Sequence, residues 1–201
     1  MTNLPTLEPP SIPVLTIEPL GKQHHRAAFS CTQPDLDTFL REHALQDQER
    51  KLSRTFVLTP ASAHSDIFAY YTLAPYMLTY DTLPAALRKR LPKHVPLPAT
   101  LLGRLAVATA HQSQGLGTTA LLTAMRDVLR STRILPSLGL VVDAKSDWLV
   151  AYYSTRGFVR LEDRPRHLIA PISRIHALFP ADAAYVPTTI DILGQIASTN
   201  G

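Results

Sequence analysis

The stretch Leu101 to Thr118, LLGRLAVATAHQSQGLGT, decides how the rest of the chain is read. Leu101 to Val107 is an apolar run with no turn residue after Gly103, which reads as a buried strand. Beyond Gly117, Ala120, Leu121, Ala124, Met125, Val128 and Leu129 recur at three- and four-residue spacing, the period of a helix with one apolar face. Between the two, Gln112-Ser113-Gln114-Gly115-Leu116-Gly117 places two positions without side chains where a helix presents unpaired N–H groups. Such a terminus suits a diphosphate: free amides point at the oxygens, the helix dipole favours negative charge, and glycine lets the phosphate reach the backbone. It is no dinucleotide fingerprint, which needs a third glycine and an acidic residue about twenty positions on, and no Walker loop, which needs Gly-Lys-Ser/Thr. A plain strand-turn-helix carries the same hexapeptide, so the rest of the chain has to decide.

At 201 residues the chain fits one domain with a core that needs no staples. It is 45% apolar with mean hydropathy near zero, a globular composition. No apolar run approaches the roughly twenty residues of a membrane span. The opening MTNLPTLEPPSIPVL lacks a basic n-region and is too rich in proline for a signal peptide, so a cytoplasmic protein is expected. The single cysteine, Cys31, excludes an internal disulfide, agrees with a reducing compartment, and reads as a small buried residue rather than a nucleophile. The eight histidines show no His-x-x-x-His pair and have no cysteine partners, so no metal is expected. Net charge is +4, unevenly spread. Pro84 to Arg104 holds Arg88, Lys89, Arg90, Lys93 and Arg104 and no acid, whereas the chain from Ile175 onward holds Asp182 and Asp191 and no Lys or Arg. The basic segment suits a polyanion, although an ordinary solvated loop gives the same run.

Residues 1–13 read as a proline-rich arm and Val14 to Leu20 as a first strand. Pro34 then starts a helix with Asp35 and Asp37 at its positive end and Leu36, Phe39, Leu40 and Ala44 on one face. Arg54 to Leu58 and Ile67 to Leu73 form a hairpin, and residues 74–80 continue its second strand past Pro75. A short basic helix, AALRKRL, sits in the proline-punctuated segment 81–100. The helix after the glycine turn runs to about Arg133, followed by a strand, Gly139 to Ala144. Ser146 or Asp147 caps the next helix, Gly157 ends it, and strands at Phe158 to Leu161 and His167 to Ile172 complete an α+β, three-layer αβα sandwich.

Gln112-x-x-Gly115-x-Gly117 resembles the pyrophosphate signature of the GNAT acetyltransferases, and separated stretches agree with it. Gly103-Arg104-Leu105-Ala106-Val107 before the turn, VVDAK at 141–145 and AYYSTRGF at 151–158 occupy the places of that family's fourth strand, fifth strand and following helix. The fuller pattern is similar to the GNAT toxins of bacterial toxin–antitoxin pairs, which acetylate aminoacyl-tRNA. It comprises Phe29-Ser30-Cys31, Leu36-Asp37-Thr38-Phe39-Leu40, Tyr70-Tyr71-Thr72-Leu73, the basic connector, and Leu102 to Val107. The resemblance spans about residues 14–172. Two departures stand out: Ala108 replaces the usual acid, and Tyr152-Tyr153 replaces the usual Phe-Tyr, which leaves two tyrosines to choose from. The Tyr-x-x-x-Gly-Phe spacing selects Tyr153.

The resemblance implies a GNAT fold with a mixed, mostly antiparallel sheet over residues 14–174 and a tail of unassigned role at 175–201. It implies acetyl-CoA as co-substrate, held by Gln112, Ser113, Gln114, Gly115, Leu116, Gly117 and Thr118. A backbone amide among Leu105, Ala106 and Val107, left open by splayed strands, would polarise the thioester carbonyl. Tyr153, a phenol with an ordinary pKa near 10, would protonate the departing thiolate. No carboxylate stands out as a base. That favours an α-amine, with a pKa of about 7.7–8.0, over lysine at about 10.4. Arg88, Lys89, Arg90, Lys93 and Arg104 would meet tRNA phosphates. The implied partners are aminoacyl-tRNA, a ribbon-helix-helix antitoxin that brings the pair to operon DNA, and a second copy in a homodimer. A GNAT enzyme for a small amine or a protein N-terminus, and a GNAT-like module without turnover, are the alternatives.

Overall fold

The computed structural model describes residues 14–89 and 91–180. β1 (Leu15–Pro19) lies antiparallel to β2 (Arg54–Pro60), and β2 to β3 (Ala69–Leu78), the expected hairpin. β3 runs on past Pro75 as the sequence suggests. The ladder with β2 stops at the pair Arg54–Leu73, so the proline sits where that side of β3 has no ladder to interrupt. β4 (Leu97–Val107) starts ahead of the expected Leu101 and pairs with β3 over its whole length. β5 (Gly139–Asp143) joins it in parallel, then β7 (His167–Pro171) and the short edge strand β6 (Val159–Arg160) in antiparallel. The result is one mixed, mostly antiparallel sheet of order β1-β2-β3-β4-β5-β7-β6.

Pro34 opens α1 (Pro34–Thr38), which passes through a π-helical turn, Phe39–His43, into α2 (Ala44–Glu49). The π turn is a departure from the regular helix that the spacing predicts. α3 (Ala85–Arg88) is the short basic helix. α4 (Leu116–Ser131) begins two residues earlier than expected, taking in Leu116 and Gly117, and α5 (Asp147–Ser154) is capped by Ser146, whose Oγ accepts the Leu149 N–H at 3.2 Å. α6 (Ile172–Leu178) crosses the expected boundary at 174 and seats Ile175 fully in the core. The segments 1–13 and 181–201, with most of the expected arm and tail, lie outside the described residues.

Strand alternation sorts the core into two faces. Leu102, Leu140, Val142 and Leu168 point to one side, where they meet all six apolar positions of α4 that the periodicity singled out. Each fully buried Leu or Met there contributes about 1.5–3 kcal/mol. Val57, Tyr70 and Ala106 point to the other side against Phe39, Leu40 and Ala44 of the first helical segment. Ala99, Val141 and Ile169 point the same way under Leu83 of the basic connector. Helices thus cover both faces, the three-layer arrangement expected. Among the described residues no helix is long and apolar enough to cross a membrane.

Candidate active site

The register of β4 makes an opening in the sheet. Thr72 pairs with Arg104 but Leu73 pairs with Leu102, so Gly103 is an extra residue, a bulge that re-aims the strand. β5 meets β4 only at Thr100–Leu140 and Leu101–Val141, before the bulge. From there to Val107 the two strands diverge. Across β3, the Ala108 N–H donates to Phe68 O at 2.8 Å. Backbone groups alternate along a strand, so the amide of Ala106 also faces β3, while those of Leu105 and Val107 face the gap. Of the three candidate residues, Leu105 and Val107 therefore present their amides to the gap, and Ala106 has its amide in the ladder and its side chain buried.

The gap opens into a cleft of about 290 Å³, lined among others by Leu105, Gly117, Lys145, Trp148 and Tyr153. In the turn that leads into α4, Gly115 adopts φ +82°, a left-handed conformation that L side chains avoid. The N–H groups of Thr118 and Thr119 both return to the Gly115 carbonyl, at 3.0 and 3.1 Å. The amides of Ser113 to Gly117 meet no acceptor among the described residues. The diphosphate candidates thus separate. Thr118 does not offer the free amide expected of it. Gln112 and Gln114 act through their side chains as latches, Gln112 Nε2 donating to Val107 O at 3.1 Å and Gln114 Nε2 to Ala110 O at 3.3 Å.

Tyr153 is 8% exposed, and burial, reinforced by neighbouring Tyr152, pushes its phenol up to about 12. Its hydroxyl makes no hydrogen bond among the described residues. Tyr152 is engaged instead: its hydroxyl shares a hydrogen bond with Thr118 Oγ1 at 3.2 Å, and the Arg156 guanidinium lies 3.6 Å from its ring centre. Arg156 also donates to Tyr152 O at 2.9 Å and to Thr118 Oγ1 at 3.4 Å, ties that nothing in the sequence around it announces. Trp148, which no motif in the sequence singles out, stacks on Tyr152 with ring centres 5.6 Å apart. Cys31 is buried, its thiol pushed up to about 11 by burial and by Asp37 beside it, which suits the inert reading.

The basic candidates scatter. Arg104 lines the cleft, its guanidinium 3.5 Å from the centre of the Phe39 ring. Lys89 and Lys93 are exposed on the connector, at the opposite end of β4. Arg88 is engaged within the chain: its guanidinium donates to Leu83 O at 2.5 Å, Asp81 O at 2.8 Å and the Glu162 carboxylate. Those bonds fasten α3 to Glu162, just past β6. Arg90 lies outside the described residues. No group of three or more His, Cys, Asp or Glu among the described residues is placed to hold a metal.

No protein-family profile matches the chain. A tRNA-acetylating toxin of Mycobacterium tuberculosis is 29% identical over 151 residues, 75% of this chain and 88% of that one. Among solved structures, a tyrosine-to-phenylalanine mutant of KacT superposes with TM-score 0.76 at 29% identity, over 82% of this chain and 99% of its own. AtaT complexed with acetyl-methionyl-tRNA does so with TM-score 0.76 at 28% identity, over 83% and 99%. The chain is a GNAT-fold protein similar to the GNAT toxins. Further structures of these neighbours include AtaTR bound with acetyl-CoA, AtaT with the C-terminus of its antitoxin AtaR, and a KacTA–DNA complex.

Proposed function

We propose that this GNAT chain is an acetyl-CoA-dependent toxin that acetylates the α-amino group of an aminoacyl-tRNA and so blocks translation. The observation that carries the reading is that Leu105 of the strand gap, Gly117 of the glycine turn and Tyr153 line one cleft, each belonging to a group that thioester aminolysis requires. The open amides of Ser113 to Gly117 face where a diphosphate would lie. The amides of Leu105 and Val107 face the gap where a thioester carbonyl would develop charge. Tyr153 offers to the same cleft a protonated phenol with no hydrogen-bond partner among the described residues.

In the reaction the free amine attacks the thioester carbon and the C–S bond breaks. The Tyr153 phenol gives its proton to the sulfur, and the ammonium formed on the nucleophile returns a proton through solvent. Among the residues lining the cleft, the one carboxylate is Asp143, which is paired with Arg164 Nη1 at 2.9 Å. Without a free base, an amine that is already substantially neutral near pH 8 is the fitting nucleophile. Acetylation removes the nucleophile of peptide-bond formation. Arg104, Lys89 and Lys93 supply phosphate contacts of the salt-dependent kind. The protein works in the cytoplasm as a homodimer, and a ribbon-helix-helix antitoxin neutralises it and carries the pair to DNA. Neighbours solved with an antitoxin and with DNA support that reading.

The test is transfer of labelled acetyl from acetyl-CoA onto total charged tRNA. Label in the aminoacyl-tRNA fraction is expected. Acetyl-CoA binding with label only on small amines or protein N-termini would overturn the tRNA assignment.

A further inference from the structure

Trp148 is 70% exposed, although large aromatic side chains are usually mostly covered. It is not loose. One face of the indole stacks on Tyr152 with rings 22° apart, Arg156 lies beneath Tyr152, and the Tyr152 hydroxyl is tied to Thr118 in the phosphate turn. Trp148, Tyr152 and Arg156 follow one another at four-residue spacing on α5 and just beyond it, so they form one ladder. Its top rung is a flat ring fixed from below and open above, at the rim of the cleft. Lys145 and Arg104 line the same cleft. A rigid aromatic platform beside cations is the arrangement that holds a nucleobase whose phosphates lie alongside.

Resting on the acetyltransferase reading above, we propose that the open face of Trp148 is a stacking subsite for an adenine base. Both substrates carry one, in the nucleotide of CoA and in the terminal nucleotide of tRNA. The ladder transmits the stacking to the phosphate turn, because the hydroxyl that steadies Tyr152 belongs to Thr118 of α4.

Trp148 is the only tryptophan in the chain, so native fluorescence reports this face alone. The wild-type protein is titrated with acetyl-CoA, with acetyl-pantetheine, which has no base, and with an RNA minihelix ending in CCA. Calorimetry follows the same ligands on wild type, Trp148→Phe and Trp148→Ala. Saturable quenching by an adenine-bearing ligand and none by acetyl-pantetheine is expected. Trp148→Ala should weaken that ligand about 5- to 150-fold, and Trp148→Phe, which keeps a flat ring, by less. Quenching by acetyl-CoA assigns the CoA base to the platform, and quenching by the minihelix alone assigns the tRNA end. Acetyl-CoA bound in the calorimeter, with no change of emission from either adenine-bearing ligand, overturns the subsite and leaves the acetyltransferase reading standing. Failure of acetyl-CoA to bind the wild type at all overturns the reading beneath it.

Discussion

Replacing Tyr153 by Phe removes one oxygen that makes no hydrogen bond among the described residues, at a position 8% exposed. No partner is orphaned and no cavity larger than a hydroxyl is made, so folding stability should change by no more than about 0.5 kcal/mol. For a chain of this size that is a shift of about 2 °C or less in Tm. The chemical step, however, loses its acid. A positioned general acid is worth about 10²–10⁴ in rate, or about 2.7–5.5 kcal/mol of barrier. Tyr153→Phe is therefore expected to lower kcat for acetyl transfer to charged tRNA by at least about a hundredfold. Acetyl-CoA affinity by calorimetry, and Tm, should stay at wild-type values. Tyr152→Phe is the internal control: it breaks the Thr118 bond but leaves the free phenol, and should act mainly on acetyl-CoA affinity. The pH profile adds a second check. With the phenol pushed up to about 12, wild-type kcat should rise as the substrate amine loses its proton and show no alkaline fall up to pH 9. A Tyr153→Phe enzyme within threefold of wild type, or a Tyr152→Phe enzyme that alone is dead, would refute the assignment of the acid.

Gly115→Ala meets no atom within 4 Å but must hold φ +82°, so it should cost about 1–2 kcal/mol and lower Tm by about 2–8 °C, with weaker acetyl-CoA binding by calorimetry. The double change Lys89→Ala and Lys93→Ala should flatten the slope of log affinity for tRNA against log salt by about 0.7–0.9 for each phosphate left without its lysine. Arg88→Ala should leave that slope alone while destabilising the fold by about 1–3 kcal/mol, since it deserts two carbonyls and the Glu162 carboxylate; an altered slope would return Arg88 to the RNA surface. Burial raises the phenols of Tyr70, Tyr71 and Tyr153 above their unfolded value near 10, so the folded state holds those protons more tightly. Stability is then complete below pH 10 and falls above it, by about 1.4 kcal/mol per pH unit for each phenol, and urea unfolding at pH 9 and pH 10.5 measures the loss.

What the sequence makes legible is what is local. The glycine turn and α4 follow from spacing within about one helix length, and each apolar position predicted for α4 is buried. The persistence of β3 through Pro75 is readable because apolar residues flank it, and pairing explains why it is tolerated. The departures share another cause: they depend on partners distant in the chain. Arg88 looks like one member of a basic run until Glu162, 74 residues away, takes its guanidinium. Arg156 looks solvated until Thr118, 38 residues back, receives it. Trp148 carries no motif, and only the placement of α5 beside the gap gives its ring an address. The divergence of β4 and β5 enters through family resemblance. Nothing in the residues of either strand states how few rungs they share.

That scarcity of rungs has a mechanical consequence. With β4 and β5 joined at only two positions, the sheet behaves as two panels on a narrow joint. The brace across that joint is α4, packed on Leu102 of one panel and on Leu140 and Val142 of the other. Ala120 and Ala124, fully covered in the same cluster, are the smallest side chains on the braced face. Bulk added at those alanines would wedge the panels and widen the jaw, whereas bulk removed at Leu121 or Met125 would let it close. The bore available to the acyl group is thus governed from behind the sheet, by side chains that touch no substrate, and an enzyme tuned to longer acyl donors could be sought there without altering a single cleft residue.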